Sequence, residues 1–295
     1  MRSTLSAEWF WTRRRRALRA AALLVMVLVC AVVVARWLST DADVTSAIAE
    51  AEQLAADAAA NGVDIPTSAT YVEPRYQLAL QMPSDSAGLA AALMLVGLVT
   101  ASMSVGGEWR TGIVRLTFEP ASSRVRPTLA RLVVWWSAWT IIGLVTLGTG
   151  VAGLTVVGSH RGLSGGVELG AWAGVILRGG FVVGAGALVG AALATALRSD
   201  AAVVALVLGY VLVGEIVLPA LLATSGYASP GTLLVDFVVS NDIARPVVMS
   251  CGEVPRCEIV YASSAGSPAV YAVVVMTMLG MSALAAWRSR TSIWR

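Results

Sequence analysis

The chain of 295 residues contains no lysine, one histidine and three cysteines. Without lysine it cannot form the phosphate-binding P-loop of an ATPase, nor the Schiff base of a lysine-dependent enzyme. Its single histidine, His160, excludes the HExxH zinc site, which needs two. We therefore expect no catalytic residues, no bound cofactor and no metal in this chain, and we expect that it is not an enzyme.

Charge is also scarce. Only 13% of the residues are charged and 57% are hydrophobic, and the mean hydropathy is +0.76. Soluble domains carry about 25% charged residues, so this chain has too little charge to cover a surface that faces water. The composition predicts an all-α membrane protein whose surroundings are the lipid bilayer. The formal net charge of +3 does not indicate a nucleic-acid partner.

Six stretches are long and apolar enough to cross a bilayer as helices, which takes about 20 residues each. The predicted spans are 18–38, 87–107, 132–157, 171–197, 201–222 and 269–287, and the outer loops are 39–86, 158–170 and 223–268. The start of the fourth span stays open between Ala171 and Gly179. Because no repeat or low-complexity linker divides the chain, we interpret residues 1–295 as one polytopic membrane domain.

The arginines lie mainly on one side of these six spans. Fifteen of them fall in the N-terminal segment, the 108–131 connection, the turn at Arg198 and the C-terminal segment, against five on the other side. The positive-inside rule then makes the arginine-rich side, with both termini, cytoplasmic. Arg178 lies in or beside the fourth span, and Glu215 lies within the fifth. Charges inside a membrane are costly, and one expectation is that these two pair. The alternatives are that Arg178 extends outward while Glu215 is protonated or caps a bent helix near Pro219, or that the charges mark a substrate path.

Two outer loops have features of their own. An alanine-rich stretch from Asp43 to Ala60 predicts a helix, with Asp41 or Asp43 as the cap. Cys251 and Cys257 lie in the loop before the sixth span, on the oxidising side, and predict a small-loop disulfide.

Glycines at four-residue spacing occur in and before the fourth span, and indicate close helix packing within the chain or between two chains. They include two pairs within the span, Gly180 with Gly184 and Gly186 with Gly190.

The connection between spans two and three mixes charges of both signs with apolar residues. Ile113 and Leu116 would line one side of a short amphipathic helix, which Pro120 would end. Arginines at headgroup level are also common where spans end, so composition alone does not separate a functional segment from a simple elbow.

The sequence GGEWRTGIVRLTFEPASSRVRPTLARLV resembles the segment after the second span in type-two ABC exporter permeases. The shared pattern is an acid-aromatic-arginine triplet, a glycine two positions on, an arginine, Pro-x-x-x-Arg and a basic residue that opens span three. These positions are Glu108, Trp109, Arg110, Gly112, Arg115, Pro120, Arg124 and Arg131. The sequence departs from the family at Ile113, where threonine is usual, and at Arg131, where lysine is usual. The basic N-terminal sequence SAEWFWTRRRRALR and a tight turn between spans four and five are similar as well.

This resemblance implies the transmembrane subunit of an exporter in the cell membrane. It implies that the segment after span two is a coupling element that docks on a separate P-loop ATPase subunit. ATP and magnesium would be bound by that partner and not by this chain. A second permease chain, identical or related, would complete the pathway, and the substrate stays unidentified.

Two other classes of function remain open from the sequence. Residues 162–165, GLSG, match the GxSG of rhomboid intramembrane proteases, although the one histidine lies in the same outer loop and not on another span. An intramembrane enzyme would need a nucleophile and base brought together across spans. A membrane sensor or scaffold would use the 39–86 outer loop instead.

Overall fold

A computed structural model shows a helical fold. It describes residues 9–10, 16–63, 65–112, 125–163, 169–221, 229–239, 245–251, 257–262 and 268–291. The helices are α1 (Arg16–Ser39), α2 (Thr45–Ala60), α3 (Thr67–Thr70), α4 (Leu78–Thr111), α5 (Val125–Arg161), α6 (Leu169–Leu197), α7 (Asp200–Tyr210), a π-helical segment (Val211–Val217), α8 (Leu218–Leu221), α9 (Pro230–Val239) and α10 (Pro268–Thr291). The strands are β1 (Tyr76–Gln77), β2 (Gly162–Leu163), β3 (Arg245–Cys251) and β4 (Cys257–Ala262).

Within the described residues, five helices are long and apolar enough to cross a membrane. They are Arg16–Ser39, Gln81–Thr111, Val125–Arg161, Trp172–Leu197 and Asp200–Val217. They coincide with the first five predicted spans. The sixth predicted span, 269–287, falls within α10, a helix of 24 residues.

Helix α6 lies at the centre of the bundle, and 78% of its most apolar 18-residue stretch is buried. It packs against α4, α5 and α10, while α1 lies outside against α5 and α4. The most apolar stretches of α1 and of the helix that begins at Asp200 are each only 17% buried. Their outward faces carry exposed apolar side chains such as Leu24 and Leu208, which suits a lipid environment.

The glycine spacing of α6 serves packing within the chain. A Cβ on Gly180 would lie 2.6 Å from Leu144 Cδ2, and one on Gly184 would lie 2.8 Å from the carbonyl oxygen of Trp136, so this pair faces α5. A Cβ on Gly186 would lie 2.8 Å from the carbonyl oxygen of Met94, so Gly186 faces α4. The prediction that these small residues let helix backbones approach closely is confirmed.

Two helices extend beyond the spans predicted within them. The second spanning helix begins at Leu78 and not at residue 87, and it ends at Thr111 beyond residue 107, so it takes in Asp85 and Glu108. The helix continues through Pro83, which lies close to its start and disturbs only its first turns. The helix that holds the fourth predicted span begins at Leu169, so Arg178 lies within this helix and not before it.

The segments predicted as outer loops contain helices and strands. The predicted alanine-rich helix is confirmed as α2, and Gly62, at φ +80°, follows its end. Its N-cap is Val44 and not the predicted Asp41 or Asp43, although Asp43 Oδ1 accepts the N–H of Thr45 at 2.9 Å. The 223–268 connection, predicted only as a loop, contains α9 and the antiparallel β3–β4 hairpin. Helix α9 has ten residues, too few for a membrane span, and it packs against α4 and α6.

Candidate functional site

The predicted coupling triplet lies at the end of α4. Glu108, Trp109 and Arg110 are helical, and the helix ends at Gly112 in the left-handed conformation with φ +72°. The N–H of Gly112 donates to the carbonyl of Trp109 at 3.3 Å. Only glycine adopts this conformation without steric cost, so Gly112 explains why the chain leaves the helix here.

Glu108 and Arg131 join the two ends of the connection between α4 and α5. The Arg131 Nη2 to Glu108 Oε2 distance is 2.8 Å, and the side chains are 7% and 11% exposed, respectively. A largely buried ion pair therefore joins the two helices that flank residues 113–124.

Trp109 and Arg110 point to a different neighbour, the short turn between α6 and α7. The Arg198 guanidinium lies 5.1 Å from the centre of the Trp109 ring, within the range of a cation–π contact. Arg110 Nη2 lies 2.7 Å from Asp200 Oδ2, with Arg110 71% exposed. Each residue of the triplet thus makes its own contact with another part of the bundle.

The turn between α6 and α7 is tight, as predicted. Arg198 has φ +55°, which a residue with a side chain rarely adopts. The Ser199 hydroxyl accepts the N–H of Ala202 at 3.2 Å and so caps α7.

Part of the predicted coupling set falls outside the described residues, namely Arg115, Pro120 and Arg124. For Glu108, Trp109, Arg110 and Gly112, the structure shows anchoring contacts and a helix end. These contacts hold the end of α4, the last described residues before 113–124, against α5 and the α6–α7 turn.

The two charges predicted inside the membrane have different partners. Glu215 lies in the π-helical segment, where its carboxylate accepts hydrogen bonds from Tyr210, Ser229 and the backbone N–H of Gly231, the last at 2.8 Å. Arg178 Nε donates to the carbonyl oxygen of Val238 at 3.2 Å. Among the described residues, Glu215 therefore caps the start of α9 and does not pair with Arg178.

A polar cluster lies at the end of the bundle opposite to Glu108 and Arg131, and the sequence analysis did not predict it. Arg36 on α1 forms a two-bond ion pair with Asp85 on α4, and the Tyr76 hydroxyl donates to Asp85 Oδ2 at 3.0 Å. Burial of the fully covered Tyr76 raises the pKa of its phenol, and the neighbouring Asp85 charge raises it further. We call Arg36, Tyr76 and Asp85 the outer cluster. The sequence contained one indication of this cluster: Arg36 lies near the end of the first predicted span, and Asp85 lies just before the second.

Arg161 strengthens the same end of the bundle. Its guanidinium donates to the carbonyls of Trp37 and Thr40, each at 2.9 Å, and lies 4.6 Å from the centre of the Trp37 ring. A cation at the last carbonyls of a helix is favourable. The contacts place Arg36, Asp85 and Arg161 at one end of the bundle and Glu108, Arg131 and Asp200 at the other.

The predicted disulfide partners are opposite each other in the β3–β4 hairpin. Cys251 and Cys257 are direct partners in its register. Directly opposed residues in antiparallel strands have Cα atoms about 4.5–5.5 Å apart, a separation that a disulfide can bridge. The register is compatible with the bond, which stays a prediction.

Comparison with known proteins adds no further identification. No protein-family model matches the chain, and no curated protein matches it significantly.

Proposed function

We propose that this chain is the transmembrane permease subunit of an ABC exporter. It moves a substrate across the cell membrane with energy from ATP hydrolysed by a separate P-loop ATPase subunit, which holds the ATP and magnesium. The chain crosses the membrane six times, with α10 as the sixth span and both termini in the cytoplasm. A second permease chain, identical or related, completes the pathway.

The observation that carries this proposal is the anchoring of the triplet that ends α4. The sequence of this region resembles the docking element of the permease family, and the triplet holds the base of the 113–124 segment. Glu108 binds the base to α5, while Trp109 and Arg110 bind it to the α6–α7 turn. A push on a segment with such a base moves several helices together, as a docking element requires.

Sidedness is testable by labelling single cysteines with a membrane-impermeant reagent. A cysteine at Thr111 should be protected in intact cells and react after the membrane is opened. A cysteine at Ala56, in the exposed part of α2, should react in intact cells. Labelling of the Thr111 position from outside would overturn the proposed topology.

Capture of the complex tests the function itself. The full-length tagged chain, extracted from its native membranes in a mild detergent, should carry a P-loop ATPase subunit that hydrolyses ATP. A chain that is recovered folded and without any such subunit would contradict the proposal and would favour a scaffold or sensor role.

A further inference from the structure

The end of α4 meets the α6–α7 turn along one helix face. Gly106, Trp109 and Arg110 are spaced i, i+3 and i+4, a spacing that puts side chains on the same face. Trp109 contacts Arg198, Arg110 pairs with Asp200, and Gly106 lies against the backbone of Asp200. We call these three contacts the interlock.

The interlock is close because residue 106 has no side chain. A Cβ on Gly106 would lie 2.6 Å from the backbone nitrogen of Asp200 and 2.9 Å from its Cα. Backbone atoms cannot move aside as a flexible side chain can, so an alanine here must push α4 and the turn apart. A Cβ on the neighbouring Gly107 would meet no atom within 4 Å.

The turn can pass a displacement onward. Arg198 and the cap at Ser199 fix the end of α6 to the start of α7 within three residues. Helix α7 continues into the π-helical segment, where Glu215 is bonded to the first residues of α9. A shift at the end of α4 therefore acts on α7 and the π-helical segment, and through Glu215 on α9.

We propose that the interlock transmits movement of the 113–124 segment to α6 and α7, with Gly106 and Asp200 as positioning residues for transport. This inference rests on the proposed permease function and specifies how its coupling site is connected to the pathway. Packed elements change between discrete arrangements more readily than they deform. Arg110 is largely exposed, so its ion pair is the weaker part of the interlock, although measurable, and the backbone contact at Gly106 is the main element.

Hydrogen–deuterium exchange of the captured complex in lipid nanodiscs tests the proposal without a known substrate. Exchange is measured for peptides that cover residues 199–207, with no nucleotide and after trapping with magnesium, ATP and vanadate. In the native chain and in Gly107→Ala, trapping should change exchange in these peptides. In Gly106→Ala that change should be lost, although the ATPase peptides still respond and the ATPase still copurifies.

Charge variants provide a second arm if Gly106→Ala fails to fold. Arg110→Asp replaces the attraction to Asp200 by repulsion between two carboxylates, and should reduce the response of the 199–207 peptides by a factor of about two to five. The exchange of both charges, Arg110→Asp with Asp200→Arg, should recover part of it. Recovery would be incomplete because a cation at the start of α7 opposes the helix dipole.

The outcomes separate the two proposals. If no ATPase copurifies with the native chain, the permease function and the role of the interlock are both wrong. If the ATPase copurifies and responds, but Gly106→Ala keeps the native response at 199–207, the permease function stands and the interlock is not the route. A native response at 199–207 in a folded Arg110→Asp variant would likewise show that the interlock is not the route.

Discussion

Glu108 and Arg131 form an ion pair that closes the base of the connection between α4 and α5, with 2.8 Å between Oε2 and Nη2. The two residues are separated by the whole segment to which the proposed function assigns docking. Their side chains are almost covered by protein, so the pair is more than a surface contact.

Replacing only one residue of this ion pair should lower the stability of the protein. Arg131→Met removes the cation that pairs with Glu108 in a covered position, and the loss of a single partner from a buried pair costs about 3–5 kcal/mol. The double variant Glu108→Leu, Arg131→Met should lose less than either single variant, because neither charge remains. Unfolding by denaturing detergent in micelles measures all three, and a double variant as unstable as the sum of the singles would refute the pairing.

Spans and packing glycines were predictable because their signals are local. Twenty apolar residues identify a span such as α6 wherever it lies, and glycines four residues apart share a face. The partners of Glu108 and Arg110 were not predictable, because Arg131 and Asp200 are distant in sequence and only the packing of α4 against α5 and α7 brings them near.

The missed features have physical reasons as well. Helix α9 is too short to resemble a span, and its apolar character is explained only by its place against α4 and α6. The predicted second span begins only at residue 87, because Asp85 and Pro83 are typical of loops, whereas helix α4 already begins at Leu78. In the structure Arg36 neutralises Asp85, so the helix continues through both.

Packing of α6 predicts opposite effects for two glycine substitutions. A Cβ on Gly184 would collide with Thr140 and Trp136, and overpacking of this kind costs about 1–3 kcal/mol. Gly148 has open space around its Cβ position, so Gly148→Ala should be neutral or stabilise its helix by up to about 1 kcal/mol. Thermal unfolding in detergent compares them, and equal midpoints would show that the close approach of α5 and α6 is wrong.

The outer cluster predicts an alkaline loss of stability that depends on Tyr76. A phenol whose pKa is raised by folding contributes stability below its ordinary value of about 10, and this is lost as the pH rises above that value. Tyr76→Phe should remove this dependence, and should cost about 1.5–3 kcal/mol at neutral pH through the lost hydrogen bond to the Asp85 charge. Unfolding at pH 8 and at about pH 11 measures both effects.

Tyr71 provides the control for that experiment. Its hydroxyl lies 3.3 Å from Glu73 Oε2, a longer contact in a less covered position. Tyr71→Phe should therefore cost less than Tyr76→Phe. If the two variants lose equal stability, the special position of Tyr76 beside Asp85 is not supported.

The hairpin register predicts a covalent link between Cys251 and Cys257. A peptide map of the mature protein without reduction should recover the two cysteines in one linked species, which separates after reduction. Cys30 on α1 should be alkylated without reduction and serves as the internal reference. Free thiols at both 251 and 257 would show that the outer hairpin is held by its backbone bonds alone.

The most direct test of the central claim is the amount of P-loop ATPase captured with an Arg115→Glu variant. Arg126→Glu, the same charge change in the exposed first turn of α5, is its matched control. The proposal predicts that both variants reach the membrane and that Arg115→Glu loses the ATPase while Arg126→Glu keeps most of it. Native levels of captured, active ATPase with Arg115→Glu would contradict docking through this segment.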